Sequence, residues 1–139
     1  VMTDAGAVHV LTYYAFGNYK GTDSGFFHQG RDSIPDDLVW KGRFGHALAG
    51  GDFNGDGGEE LAVGNPYDNC DSNEEGSLVV LYNTFWDRDD ITSPQRWCQG
   101  GMLKEQAERD DNFGYALVSI PTSGALPFRK YLPTIMQDE

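Results

Sequence analysis

Between Gly51 and Gly64, oxygen-bearing side chains fall at Asp52, Asn54, Asp56 and Glu60, which are positions one, three, five and nine of a glycine-rich loop. Calcium is a hard cation that takes about six to eight oxygens in flexible geometry, so a tight loop offering alternate side chains can wrap it. The glycines supply the bend. Gly57 stands where a positive φ reverses the chain, and Gly58 would turn its carbonyl inward as the ligand at position seven. The expected metal set is therefore Asp52, Asn54, Asp56, Gly58 and Glu60, and the expected cofactor is Ca2+.

A helical EF-hand needs a bidentate Glu at position twelve, where this chain has Val63. It also needs flanking amphipathic helices, whereas the runs at 44–49 and 61–64 read as strands; a dockerin-like module fails on the same grounds. A plain Asn-Gly or Asp-Gly hairpin turn needs fewer oxygens than this loop supplies.

Other groups that could do chemistry are weaker. His9, His28 and His46 fall on three separate expected strands and form no His-x-x-x-His zinc pair. Gly-x-Ser-x-Gly and phosphate-cradling glycine loops are absent. Asp36-Asp37, Glu74-Glu75, Asp89-Asp90 and Asp110-Asp111 could pair across a sugar as acid and nucleophile, but acidic doublets this frequent read as a solvated rim. Cys70 and Cys98 are the only cysteines, and an even count in an acidic calcium-loop chain favours an exported disulfide over two free thiols, which would look the same in sequence. Trp97 aligns with Phe27 of the other copy of a repeat, and reads as core. Trp86, in a polar loop, is the candidate contact residue for a ligand.

The elements that must hold these groups come in two copies. Gly6-Ala7-Val8-His9-Val10-Leu11 resembles Gly76-Ser77-Leu78-Val79-Val80-Leu81, 70 residues on. Gln29-Gly30 returns as Gln99-Gly100, and Phe44-Gly45-His46-Ala47-Leu48 as Phe113-Gly114-Tyr115-Ala116-Leu117. Copy one spans about 6–75 and copy two about 76–139, diverging after 120, where Pro121-Thr122-Ser123-Gly124 replaces the acidic loop. In copy one, strands are expected at 7–13, around Phe26-Phe27, at 44–49 and at 60–63, making a four-stranded antiparallel sheet per copy. Only 102–109 has helical propensity, and it reads as a loop decoration.

Phe44-Gly45, the Asp52-Phe-Asn-Gly-Asp-Gly loop and Leu61-Ala-Val-Gly-Asn-Pro66 together resemble the FG-GAP repeat of integrin α-subunit β-propellers and their bacterial relatives, with Gly64-Asn65-Pro66 in place of Gly-Ala-Pro. Strand 76–82 matches the Gly-x-Val-x-Val pattern that follows in that family. The resemblance implies an all-β fold of antiparallel propeller-type blades, about two repeats long. It also implies a strand-connecting loop holding calcium through Asp52, Asn54, Asp56, Gly58 and Glu60, although Asp is commoner at the last position.

Composition agrees with that chemistry. Ten Lys and Arg against 22 Asp and Glu give a net charge of −12, which opposes nucleic-acid and anionic-membrane partners and invites a cation. At 39% apolar and 13% aromatic residues the chain can bury a core. No apolar run is long enough to cross a membrane, and the first residues lack the basic and apolar regions of a signal peptide, so any export signal is expected to be removed or to lie outside this chain.

The expected function is a non-enzymatic, calcium-stabilised module for extracellular, cell-surface or periplasmic binding or adhesion, with a protein or carbohydrate ligand. The alternatives are a polysaccharide lyase or hydrolase on the same scaffold, or an oligomeric assembly protein. Two repeats are too few to close a propeller ring. The chain is expected to be a fragment of a larger propeller, a homo-oligomer, or a compact form with 126–136 covering an edge.

Overall fold

The computed structural model describes residues 5–16, 19–30, 34, 41–70, 75–82, 94–99, 103, 106 and 108–118. Six strands form among the described residues: β1 (Val8–Phe16), β2 (Tyr19–Phe27), β3 (Ala47–Gly51), β4 (Glu60–Asn65), β5 (Ser77–Leu81) and β6 (Gln95–Cys98). The pairings between these strands are antiparallel. β1 and β2 make a two-stranded sheet, and β3-β4-β5-β6 make a four-stranded one in sequence order. No helix occurs among the described residues, including those within 102–109.

Every residue of β4 and β5 is buried. Side chains alternate across a strand, so Leu61, Val63, Val79 and Leu81 project to one side, into a cluster with Val8, Phe27, Ile34 and Phe44. Ala62, Leu78 and Val80 project to the other, against Ala49 and Phe113, with Phe53, Tyr82, Trp97, Leu103 and Leu117 packed around them. This two-sided burial explains why Leu-Ala-Val and Leu-Val-Val-Leu run on without polar alternation.

The repeat is visible in the backbone as well. Phe44 bridges Gly6, and Phe113 bridges Gly76. The Phe44 amide donates to the Ala5 carbonyl at 2.9 Å, and the Phe113 amide to the Glu75 carbonyl at 2.8 Å. Among the described residues, four that are not glycine take positive φ, in matched pairs: Lys41 (63°) with Asp110 (65°), and Arg43 (56°) with Asn112 (54°). Such conformations persist only where the surroundings enforce them. The second turn lies so close to the sheet that a Cβ on Gly64 would overlap the Gly114 carbonyl oxygen.

The strands group differently from the expected sheet per copy. β1 and β2 stand apart from β3 and β4, and β3-β4 are completed by β5-β6 of the second copy. A fixed repeat length sets a period but not the phase at which a sheet begins. Here β5 takes the edge of β4, from Leu61↔Leu81 to Asn65↔Ser77. The strand expected at 44–49 starts only at Ala47, because Gly45 (φ 90°) turns the chain after the Phe44 bridge. His28 and His46 therefore lie just outside strands, and only His9 lies within one. β2 was legible only at its end, although Gly17-Asn18 is a hairpin-type dipeptide.

Two ties hold edge strand β6 to the turn after β4. Cys70 and Cys98 are disulfide-bonded, with Cα atoms 6.0 Å apart. Beside them Asp68, fully buried, receives Arg96 at 2.6 Å, and the Ser77 hydroxyl donates to the same Asp68 oxygen at 2.6 Å. Closing a loop of 28 residues by a disulfide stabilises a fold by about 2–4 kcal/mol. Reductant is expected to lower the unfolding free energy by that amount in denaturant titrations. Leu81→Ala should cost about 2–5 kcal/mol. Leu11→Ala, at the repeat-equivalent position but 77% exposed, should stay within about 0.5 kcal/mol.

Candidate metal centre

The acidic loop joins β3 to β4, and the ladder on either side sets its ends: Gly51 pairs with Glu60. Phe53 anchors it from within. Its ring lies over Gly51, where a Cβ would meet ring carbon Cε1 at 2.9 Å, and it packs beside the cluster of Ala49 and Ala62. Gly55 (φ 80°) and Gly57 (φ 90°) carry the reversal, with open space around both, so conformation rather than crowding selects glycine there.

Side-chain oxygens of the loop accept from its own amides. Asp52 Oδ1 accepts from Gly55 and Asp56 at 2.6 and 3.1 Å, and its Oδ2 from Gly57 at 3.1 Å. Asn54 Oδ1 accepts from the Asp56 amide at 2.7 Å, and Asp56 Oδ1 from the Gly58 amide at 2.7 Å. Each is an Asx-type bond that bends the chain around its side chain. A Cβ on Gly58 would stand 3.1 Å from Asp56 Oδ1 and 4.0 Å from Glu60 Oε1, so Gly58 lies beside both carboxylates.

Glu60 is the unusual member. Only 1% of it is exposed. Its Oε2 accepts from the amides of Phe53 and Asn54 at 2.7 and 3.2 Å, and its Oε1 from Asn54 Nδ2 at 3.3 Å. The same Nδ2 donates to Asp56 Oδ2 at 2.8 Å, so one carboxamide bridges two carboxylates. Burial pushes the Glu60 carboxyl above its ordinary 4.5, the two amides pull it back, and the negative charges of Asp56 and Asp52 push it up further. Burial, and then the Glu60 charge, also raise the Tyr82 phenol, which donates to Gln95 Oε1 at 2.9 Å.

The structure thus places Asp52, Asn54, Asp56, Gly58 and Glu60 in one loop and joins Asp56 to Glu60 through Asn54. Among the described residues no three His, Cys, Asp or Glu side chains converge as a ready metal cluster. The set nevertheless fits a hard cation chemically: oxygen donors only, three of them carboxylates, and a buried Glu60 whose charged neighbours share its sign.

Trp86 lies outside the described residues, as do Trp40, 121–124, 126–136 and the pairs Asp36-Asp37 and Asp89-Asp90. Asp111 uses its Oδ2 to cap a turn, accepting from the Glu108 amide at 2.7 Å. Trp97 packs on the cluster around Leu78 and Val80. The Asp68–Arg96 pair escaped the sequence reading. Its signal was there: both residues stand two before a cysteine, in Asp68-Asn69-Cys70 and Arg96-Trp97-Cys98.

These observations define an all-β protein of antiparallel sheets with an acidic strand-connecting loop. Residues 44–81 match the FG-GAP repeat, a stretch that runs from the Phe44 bridge to the end of β5. No curated protein and no solved structure matches the chain.

A raised carboxyl pKa in the fold gives a definite pH signature. Its contribution is full below about 4.5, the unfolded value, and is lost as pH rises through the raised folded value. In chelator, the stability of the wild type relative to Glu60→Gln should therefore increase as pH is lowered from 7 toward 4.5. Thermal melts of both proteins across that range measure it, and a difference that does not vary with pH refutes it.

Proposed function

We propose that the chain is part of an integrin-like propeller module whose β3–β4 loop binds Ca2+ structurally, and that the module serves extracellular, cell-surface or periplasmic binding or adhesion. The observation carrying the proposal is Glu60: a buried carboxylate beside Asp52 and Asp56, with only amides and a carboxamide to balance it. Asp52, Asn54, Asp56, Glu60 and the Gly58 carbonyl would hold the ion. When bound, it neutralises carboxylates that otherwise repel one another, and so stiffens the loop. The match at 44–81 and the two-sided burial of the four-stranded sheet support the propeller-type reading.

The protein's own contribution is positional. Asx-type bonds curl the loop, Phe53 fastens it to the core, and the amides of Phe53 and Asn54 aim Glu60 inward. The role is read as non-enzymatic, and the ligand is proposed to be a protein or a carbohydrate.

Extracellular calcium modules tolerate dissociation constants of about 10⁻⁴ to 10⁻³ M. At roughly 10 mM Ca2+ that corresponds to about 1.4–2.7 kcal/mol of stabilisation over a chelated sample. Thermal unfolding with Ca2+ and with EGTA is expected to show this as a shift of several degrees, lost in Asp52→Ala and Asp56→Ala. Identical melting temperatures in the two buffers sink the calcium reading.

A further inference from the structure

Asn54-Gly55 is the one place in the chain where asparagine precedes glycine. The pairing matters chemically, because a following residue without a side chain leaves its amide nitrogen open to attack the asparagine carboxamide. The space around Gly55 is clear: a Cβ on it would meet nothing within 4 Å.

Three groups stand where that reaction needs them. The nucleophile, the Gly55 amide, donates to Asp52 Oδ1 at 2.6 Å, so a carboxylate is already placed to take its proton. The electrophile is Asn54 Cγ. Its Oδ1 accepts from the Asp56 amide at 2.7 Å, a donor aimed at the oxygen on which negative charge develops during attack. That same bond closes a turn around the Asn54–Gly55 peptide, which keeps Cγ and the Gly55 nitrogen within one small ring. The leaving nitrogen, Nδ2, donates to Asp56 Oδ2 at 2.8 Å and to Glu60 Oε1 at 3.3 Å, and so fixes which end of the carboxamide is which. Asp52 Oδ1 also accepts from the Asp56 amide, but at 3.1 Å, a longer bond than the one from Gly55.

We propose that Asn54 is a self-modifying site, converted by its own loop to a succinimide and then to aspartate or isoaspartate. The Gly55 nitrogen forms a bond to Asn54 Cγ as its proton passes to Asp52. The Cγ–Nδ2 bond then breaks, and Nδ2 leaves as ammonia with one proton gained, equal to the one lost by Gly55 and relayed through the solvent around this exposed dipeptide. Water adds to either carbonyl of the ring and opens it; nothing is oxidised or reduced. Both products lose the donor that bridges Asp56 and Glu60, and a carboxylate takes its place beside two others of the same sign. Isoaspartate also moves a methylene into the main chain, which shifts 55–60 relative to Asp52. The inference goes beyond the calcium reading and is independent of it, so either can fail alone.

Incubation of the folded protein in EGTA at neutral pH, beside a synthetic peptide of residues 50–60, followed by peptide mapping, tests it. Residue 54 is expected to gain the mass of an acid over an amide, with isoaspartate detected and ammonia released, faster in the protein than in the peptide. Asp52→Asn keeps the shape and an acceptor oxygen but not the base. It is expected to slow the change by about 10²-fold, the lower end of what a positioned base contributes, with unchanged circular dichroism. An Asn54 that survives in the folded protein as long as in the peptide, or longer, overturns the proposal whatever the variant does. An equal rate in the variant and the wild type overturns it as well.

Discussion

Leu61, Ala62 and Val63 are consecutive in the chain and all buried, which is possible only because the four-stranded sheet is covered on both sides. An antiparallel sheet that faces water needs polar residues at alternate positions; this one has none to spare in β4 or β5. The sheet therefore demands a neighbour on each face. The β1–β2 sheet answers on one side, and Phe113, Leu103 and Leu117 on the other. The glycine contacts at Gly6, Gly64, Gly76 and Gly114 follow from the same demand, since backbones must approach closely where one unit ends and the next begins.

The acidic loop inherits its geometry from that sheet. Glu60 is the first residue of β4 and shares a face with Ala62, so the strand that buries Ala62 also carries a carboxylate toward apolar surroundings. Burying a charge is costly unless it is paired and hydrogen-bonded. The amides of Phe53 and Asn54 offset part of that cost, and the neighbouring carboxylates add to it. Asp68 poses the same problem on the other face and meets a different solution, a guanidinium at 2.6 Å and a hydroxyl. Asp68 has a cation from the chain; Glu60 has none among the charges that act on it.

Much of this was legible in the sequence. The acidic loop, its glycine bend and its oxygen positions follow from local spacing, because ligands and turn residues lie within a few residues of one another. The recurring Phe-Gly pairs were legible too, and Phe44 and Phe113 make matching bridges to Gly6 and Gly76. The burial of Glu60 and its link to Asp56 through Asn54 were not, since both depend on which way β4 presents its first residue. The Asp68–Arg96 tie joins positions 28 apart, and its one mark in the sequence is that each residue stands two before a cysteine.

By itself the sequence determined an all-β chain, a period near 70 residues and an oxygen-rich loop between two strands. Each is a property of short windows, where side-chain periodicity and turn chemistry act on neighbours. Only the tertiary structure decided where the sheet begins within that period, with β5 taking the edge of β4 across the boundary between copies. It also decided that Leu81 is enclosed while its equivalent Leu11 stands in solvent. The reason is physical: identical segments have identical local preferences, and what separates them is whether another sheet lies against them.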